Sequence, residues 1–437
     1  MAPAQHPLDG ARELFASCPR GLEPALAAEL TALGIRELRP NSGGVQFRAS
    51  LRQAWAVNLH SRIASRVLLR IAQAAYRHEE DLYRLAGGCP WESWFSADST
   101  LRVDVSAQRS PVASLNFVTL RIKDAIVDRF RDLQGRRPSI DTRNPDVRVQ
   151  AFLDARQATL YLDLSGESLF KRGWRAGRDD KGAAPLKENL AAGLVALAGW
   201  QPELPLYDPF CGSGTVLIEA AQQALAIAPG ASRSFGFERL KVFDALAWAE
   251  LRRAAAQHAA ERLAAWRSGA LRLDIAGSDI DPEAVERSRR NLERAGIPAD
   301  LVGLMVADLA SAQFRPPALA ALAGPEGQTR TGMIISNPPY DERVALVGGE
   351  DGADGGGNPR GAEDRPTHGS GPDHAELLGR CGEQLKRHFP GWPLHLLSTD
   401  PQLPRQLRMQ PSRRTPLFNG ALECRLLRFD IHPRAPQ

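Results

Sequence analysis

No stretch of the 437-residue sequence holds about 18 consecutive apolar residues, the length a helix needs to cross a bilayer. The first residues, Met1 to Pro7, offer no charged leader ahead of an apolar core, so no signal peptide is expected. Cysteine is scarce. The five present, Cys18, Cys89, Cys211, Cys381 and Cys424, are odd in number and form no C-x-x-C pair. That argues against a disulfide framework and a zinc site, so no metal is expected, and it suits a reducing cytoplasm. Two common phosphate-binding fingerprints are also missing. No Gly-Lys-Ser/Thr completes a P-loop, and Leu217 stands where a dinucleotide turn needs its third glycine.

What is present centres on Leu206 to Thr215. An apolar strand (Leu204, Leu206, Tyr207) ends in Asp208 and the turn Gly212-x-Gly214, and Thr215 then opens a helix that it is placed to cap. Glycine at both turn positions lets the backbone bend sharply and approach a ligand. A carboxylate at the strand end repels a pyrophosphate and suits a cation. S-adenosylmethionine fits, since it carries an ammonium and a sulfonium and no phosphate.

The following strands repeat this placement. Leu271 to Asp281 reads as the next strand with two carboxylates at its tip, of which Asp281, followed by Pro282, reads as a helix cap. Asp279 is left to accept hydrogen bonds from ribose hydroxyls. Leu301 to Val306 leads to Asp308, placed for an adenine amino group, and Met333 to Ser336 delivers Asn337-Pro338-Pro339-Tyr340. In an open parallel sheet ligands lie beyond the C-terminal strand ends, where all of these fall. With their neighbours, the expected cofactor set is Asp208, Phe210, Gly212, Gly214, Asp279, Ile280, Asp308, Leu309 and Asn337.

The Asn-Pro-Pro-Tyr stretch suits methylation of an exocyclic amine on a base, whose lone pair is delocalised into the ring. Acceptors at the Asn337 side-chain oxygen and the Pro338 carbonyl hold the amine hydrogens and free that lone pair. The two prolines stiffen the backbone, and Tyr340 offers a stacking face. The expected catalytic set is Asn337, Pro338 and Tyr340, acting chiefly by positioning.

The length calls for two or three domains. Of 55 Lys/Arg and 51 Asp/Glu, 27 and 21 lie before residue 186, leaving 28 and 30 for the rest, so the basic excess sits in front. This portion reads as a small α/β unit (strand 14–16, helix 21–33, strand 45–47, helix 51–59), then a strand from Arg66 and a helix over Glu79 to Leu85. A strand follows at 101–106. The helix over Leu115 to Leu133 has Leu115, Val118, Ile122, Ile126 and Phe130 on its apolar face, and two paired strands come after it. Lys123, Arg136, Arg137, Lys171, Arg172 and Arg175 form the expected RNA-binding set, with Trp174 as a stacking surface or a pin for the connector.

These residues resemble the RlmL-type THUMP-domain methyltransferases over nearly the whole chain. The resemblance rests on Pro19 to Glu23, Gly43 to Phe47, Ser61 to Leu68, Lys123 to Asp128, Asp163 to Leu169, Lys171 to Arg175, Ala184 to Ala192, Asp208 to Thr215, Asn337 to Tyr340 and Phe418 to Cys424. It implies an α/β chain in which an N-terminal ferredoxin-like and THUMP α+β module precedes a Rossmann-like class I methyltransferase domain with a seven-stranded, mostly parallel sheet. The expected boundaries are 1–60 ferredoxin-like, 61–166 THUMP, 167–185 linker and 186–437 methyltransferase. A fragment from about Ala183 onward should then hold the whole cofactor pocket.

The activity implied is transfer of a methyl group from S-adenosylmethionine to guanine N2 in 23S ribosomal RNA. A tRNA guanine-N2 methyltransferase, an adenine-N6 methyltransferase and a non-catalytic assembly factor remain open beside it. Two features depart from the family. Some members continue into a second methyltransferase domain. Asp341 also stands where glycine usually follows the tyrosine, ahead of a Gly-rich, charged stretch over 348–372 that reads as a mobile loop.

Overall fold

The computed structural model describes residues 8–175, 186–318, 331–339 and 372–432. In chain order its elements begin with β1 (Arg12–Ser17), α1 (Glu23–Ala32), β2 (Glu37–Asn41), β3 (Gly44–Ala49), α2 (Leu51–His60), β4 (Arg66–Ala75) and α3 (Glu79–Gly87). Then come β5 (Thr100–Ala107), α4 (Leu115–Gln134), β6 (Ser139–Ile140), β7 (Val147–Leu153) and β8 (Gln157–Asp163). They continue with α5 (Glu188–Ala198), β9 (Leu206–Asp208), α6 (Thr215–Ala224), α7 (Ala245–Arg267), β10 (Ile275–Asp279), α8 (Pro282–Arg294), β11 (Val302–Val306) and β12 (Met333–Ser336). The last are α9 (Pro372–His388), β13 (Pro393–Ser398), α10 (Leu403–Gln406), β14 (Arg413–Asn419) and β15 (Leu422–Asp430). Tyr340 and the Gly-rich stretch, apart from Pro372, lie outside the described residues.

Two compact units result: Met1–Gly173 with Leu225–Arg267, and Trp174–Ala224 with Ser268–Gln437. In the first, eight strands make one sheet in the order β2-β3-β1-β4-β8-β7-β5-β6. The pairing of β4 with β1, from Leu14↔Leu69 to Ser17↔Arg66, carries the ladder across residue 60, so the ferredoxin-like and THUMP portions share a sheet. Local signals set the helices. Ser50 and Gln53 form a reciprocal capping box at α2, and Gly135 in the left-handed region (φ 66°) ends α4. On α4, Val118, Ile122, Ile126 and Phe130 are buried at the expected spacing, whereas Leu115, expected on the same face, is 40 % exposed in the first turn. β2 had no strand signature, because an edge strand tolerates Pro40 and exposed charge.

Residues Leu225–Arg267, expected within the methyltransferase domain, pack in the first unit. Phe237 stacks on Trp55 with ring centroids 5.0 Å apart, and Trp248 meets Phe237 edge-on at 5.0 Å. Gly230 N–H donates to the Leu59 carbonyl (3.0 Å), and Lys241 N–H to that of Trp94 (2.8 Å). The expected linker is also built in at its start. Leu169 is buried and its N–H donates to Ser65 (2.8 Å), while Arg233 donates to the carbonyls of Ser168 (2.7 Å) and Glu167 (2.6 Å).

The second unit holds the seven-stranded sheet, in the order β11-β10-β9-β12-β13-β15-β14. From β11 to β13 neighbours are parallel, and β15 is antiparallel to both of its neighbours. Its inner strand β9 is wholly buried, with Tyr207 stacked on Phe389 at 5.3 Å. Among the described residues no helix is long and apolar enough to cross a membrane.

The fragment from about Ala183 to the end therefore does not correspond to one unit. It carries Phe235, Phe237 and Trp248 away from Trp55, so it is expected to bind an apolar dye strongly and to self-associate. Gel filtration with dye fluorescence checks this, and a monomer with no more dye binding than the full chain would show the aromatic bed to be dispensable.

Candidate cofactor and acceptor site

The C-terminal tips of β9, β10 and β12 lie side by side, and the chain between β9 and α6 forms the turn above them. Gly212 and Gly214 have φ values of 55° and 76°, which only glycine adopts cheaply. A Cβ on Gly212 would meet nothing within 4 Å, so this side of the turn is open. A Cβ on Gly214 would lie 3.1 Å from Ser288 of α8, so there the glycine serves close packing.

The turn is tied to β10 and α8. Cys211 N–H donates to the Ser278 carbonyl (2.9 Å) and Gly212 N–H to Asp279 Oδ2 (2.9 Å). Ser288 Oγ donates to the Gly212 carbonyl (2.8 Å), and Asn291 Nδ2 to that of Ser213 (3.0 Å). Asp281 caps α8 as expected, accepting from Glu283 N–H at 2.9 Å. Asp279 is half-buried and keeps lone pairs beyond its backbone bonds. Asp308 is exposed, and its Oδ1 accepts from Ala310 N–H (2.9 Å).

Asp208 differs from the other carboxylates. It is 2 % exposed, accepts from Phe210 N–H (3.2 Å), and is hydrogen-bonded by Ser336 Oγ. Burial first, then repulsion from Asp279, pushes its carboxyl up to about 7, although both hydrogen bonds pull the other way. Carboxylates concentrated over an open glycine turn make a site that a cationic ligand relieves. The donor set thus fits the ammonium and sulfonium of S-adenosylmethionine.

Other expected residues are distributed unevenly. Ile280 is 64 % exposed beside Asp279, and Phe210 is partly buried. The Leu309 side chain lies in the core with Tyr207 and Ile334, which removes it from any ligand and leaves only its backbone. Asn337 is half-buried, Pro338 buried and Pro339 exposed. Thr215 does not act as a cap. It is the first residue of α6, and its Oγ1 accepts from Arg175 Nη2 (2.6 Å) and lies 3.2 Å from Ser213 Oγ.

Two arginines expected at the RNA are structural. Arg175, its side chain 9 % exposed, is paired with Glu188 (3.3 Å), bonded to the Leu186 carbonyl (3.0 Å) and laid over the Trp174 ring at 4.7 Å. Trp174 is itself buried, so it pins the chain and offers no stacking face. Arg172 is buried and donates to the carbonyls of Leu169 (2.7 Å) and Arg62 (2.5 Å). Lys123, Lys171 and Arg136 pair with Asp124, Glu167 and Asp98, the last two pairs being well exposed, and Arg137 is exposed. Exposed pairs are worth little and can exchange for a phosphate.

Sequence reasoning missed Ser278, Ser288, Asn291 and Ser336. A serine directly before Asp279 and another directly before Asn337 was the available signal.

The chain matches the RlmL ferredoxin-like domain over residues 13–68, the THUMP domain over 76–163 and the RMKL-like methyltransferase domain over 175–348. It is 38 % identical over 426 residues to the ribosomal RNA large subunit methyltransferase K/L of Aeromonas hydrophila, covering 96 % of this chain and 54 % of that one. The chain spans about half the length of the curated relatives it matches. Among solved structures it is similar to SMU.472, described as a methyltransferase and crystallised with SAH, at 26 % identity and a TM-score of 0.77, covering 98 % and 99 % of the two chains. A Listeria monocytogenes protein described as an N6-adenine-specific DNA methylase is similar at 26 % identity and 0.76, covering 96 % of each chain.

Folded Asp208 keeps its proton where the unfolded chain, with an ordinary carboxyl, has lost it. Stability is therefore drained as pH rises from about 4 to about 7 and stays low above that. Asp208→Asn should stabilise the protein at pH 8 by about 2–4 kcal/mol, with the gain vanishing below about pH 4. It should also weaken binding of S-adenosylmethionine. Urea titrations at several pH values with calorimetry check both, and a pH-independent difference would assign the raised carboxyl elsewhere.

Proposed function

We propose that this chain, which carries the RlmL ferredoxin-like, THUMP and RMKL-like methyltransferase domains, transfers a methyl group from S-adenosylmethionine to the exocyclic N2 amine of a guanine in large-subunit ribosomal RNA. The observation that carries this reading is the adjacency of two strand tips. β9 ends in Asp208 and the glycine turn, and its neighbour β12 leads directly into Asn337 and Pro338. When bound, the cofactor supplies a methyl group activated by a positively charged sulfur.

The chain's own residues do the rest. Asp208 and Asp279 provide the negative potential that favours a cation. Asp279 accepts ribose hydroxyls with its remaining lone pairs, Asp308 accepts from the adenine amine, and exposed Ile280 covers an apolar face of the base. The Asn337 side-chain oxygen and Pro338 carbonyl accept the two hydrogens of the acceptor amine and localise its lone pair. Tyr340 stacks on the target base. The THUMP-bearing unit holds RNA through exposed cations, with Arg136 and Arg137 the best placed of the expected set.

The name shared by the relatives supports ribosomal RNA as the substrate, and the reducing cytoplasm is where that substrate is met. An adenine-N6 activity is the second reading, favoured by the description of the Listeria structure and by the ability of Asn337 to serve either amine. Incubating the protein with unmodified ribosomal RNA and S-adenosylmethionine, then separating nucleosides by mass spectrometry, distinguishes the two. N2-methylguanosine is expected, and N6-methyladenosine would replace this reading with the second. In the same assay Asn337→Ala should lower turnover about a hundredfold or more while leaving cofactor affinity nearly unchanged.

Changing both Arg136 and Arg137 to Ala should reduce the log-log salt slope of RNA binding by roughly 1.5, at about 0.7–0.9 per phosphate, with the melting temperature unchanged. Arg172→Ala should instead lower the melting temperature and leave the slope alone. Binding isotherms at four salt concentrations check this, and an unaltered slope in the double variant would move the RNA surface elsewhere.

A further inference from the structure

β9 ends in two consecutive residues that fasten the strands on either side of it. The Tyr207 phenol and the Ser278 hydroxyl of β10 are hydrogen-bonded at 2.6 Å, and the Asp208 carboxylate accepts from the Ser336 hydroxyl of β12. Tyr207, Ser278 and Ser336 are all fully buried. Each serine is the residue immediately before a functional one: Ser278 precedes Asp279 and Ser336 precedes Asn337. In a strand, successive side chains point to opposite faces, so a serine locked to its neighbour fixes the direction in which the next side chain leaves.

We infer that Ser336 and Ser278 are positioning residues with separate duties, Ser336 aiming Asn337 at the acceptor amine and Ser278 aiming Asp279 at the cofactor, both anchored on the tip of β9. This inference rests on the methyl-transfer reading for the identity of the two ligands. The two bonds are independent in geometry, since they leave β9 toward opposite neighbours. They also differ in kind. The Tyr207 bond joins two neutral hydroxyls, whereas the Ser336 bond is made to a group that becomes charged, and charge-assisted bonds are about twice as strong.

A further connection ties the cofactor side to the turn. Ser278 also carries the carbonyl that accepts from Cys211 N–H, so a shift of this residue moves the turn together with Asp279. On the acceptor side, Ile334 and Ile335 of β12 are buried and hydrogen-bonded to β13 in regular register. The strand is thus held through Ser336, which pairs with Leu396, and the Asp208 bond adds a side-chain tie at its last residue.

The test is a crossed pattern. Ser336→Ala should lower kcat at saturating S-adenosylmethionine about tenfold to a hundredfold, because the tie to Asp208 is lost, with any weakening of cofactor binding passed on through Asp208 several times smaller than the loss of kcat. Ser278→Ala should weaken S-adenosylmethionine about fivefold to tenfold and leave kcat at saturating cofactor near that of the parent. Tyr207→Phe should reproduce the Ser278→Ala effect, and the double variant should add nothing to it. Ser336→Cys, which keeps the volume and only a weak donor, should fall between serine and alanine in kcat and keeps the test usable if the alanine variant folds poorly.

A purely structural role predicts something different: kcat and cofactor affinity falling together in each variant, in proportion to the loss of melting temperature. That outcome, or additive Tyr207 and Ser278 effects, would overturn the inference. Each variant is read against the parent on whichever base the parent methylates, so failure of the guanine-N2 assignment leaves the pattern readable. If the parent methylated no nucleic acid, the calorimetric arm on Ser278 and Tyr207 would still decide that half, and the Ser336 half would be refuted along with the acceptor reading.

Discussion

A carboxylate buried at the end of a central strand is costly, and much of the second unit is arranged around that cost. Asp208 has almost no water to solvate it, a like charge nearby in Asp279, and, among the described residues, a hydroxyl and one backbone N–H as compensation. An apolar residue there would make a more stable sheet. A charge kept against that gradient, beside a turn that is open at Gly212, is the arrangement expected of a site that binds a cation. The serines at the neighbouring strand ends follow from the same constraint, since each satisfies a polar group that β9 places beneath the surface.

Much of the positive charge in the first unit is engaged within the fold. Arg233, buried enough for its guanidinium to be pulled down to about 10, donates to carbonyls of the chain that follows β8, and Arg172 does the same one turn further on. Guanidinium suits this work, because its planar fork reaches several carbonyls at once. The arginines available to RNA are consequently a subset of those the sequence displays. Net charge counts all of them equally.

The path of the chain departs from a simple sequence of domains. After α6 it leaves the second unit, contributes Phe235, Phe237, Trp248 and α7 to the first, and returns at β10. α7 is Ala-rich and weakly amphipathic, with only Ala247, Trp248 and Ala255 fully buried, so its own pattern does not say which core it joins. The deciding contacts are aromatic rings nearly two hundred residues apart in sequence, Trp55 with Phe237 and Phe243.

Whatever depends on local spacing was determined by the sequence. It set the strand, turn and helix around Gly212 and Gly214, the cap at Asp281, the apolar face of α4, and the placing of Asp279, Asp308 and Asn337 at strand ends. These follow from backbone sterics and from hydrophobic period, which act over a few residues. Tertiary structure alone decided what depends on meetings between distant segments. The edge strand β2, the sheet shared across residue 60, the removal of Leu309, Arg172 and Arg175 from any ligand, and the serine bonds to β9 are of this kind. A side chain's burial and its hydrogen-bond partner are set by what packs over it, and Ser336 acquires its role only because the fold brings it against a carboxylate 128 positions away.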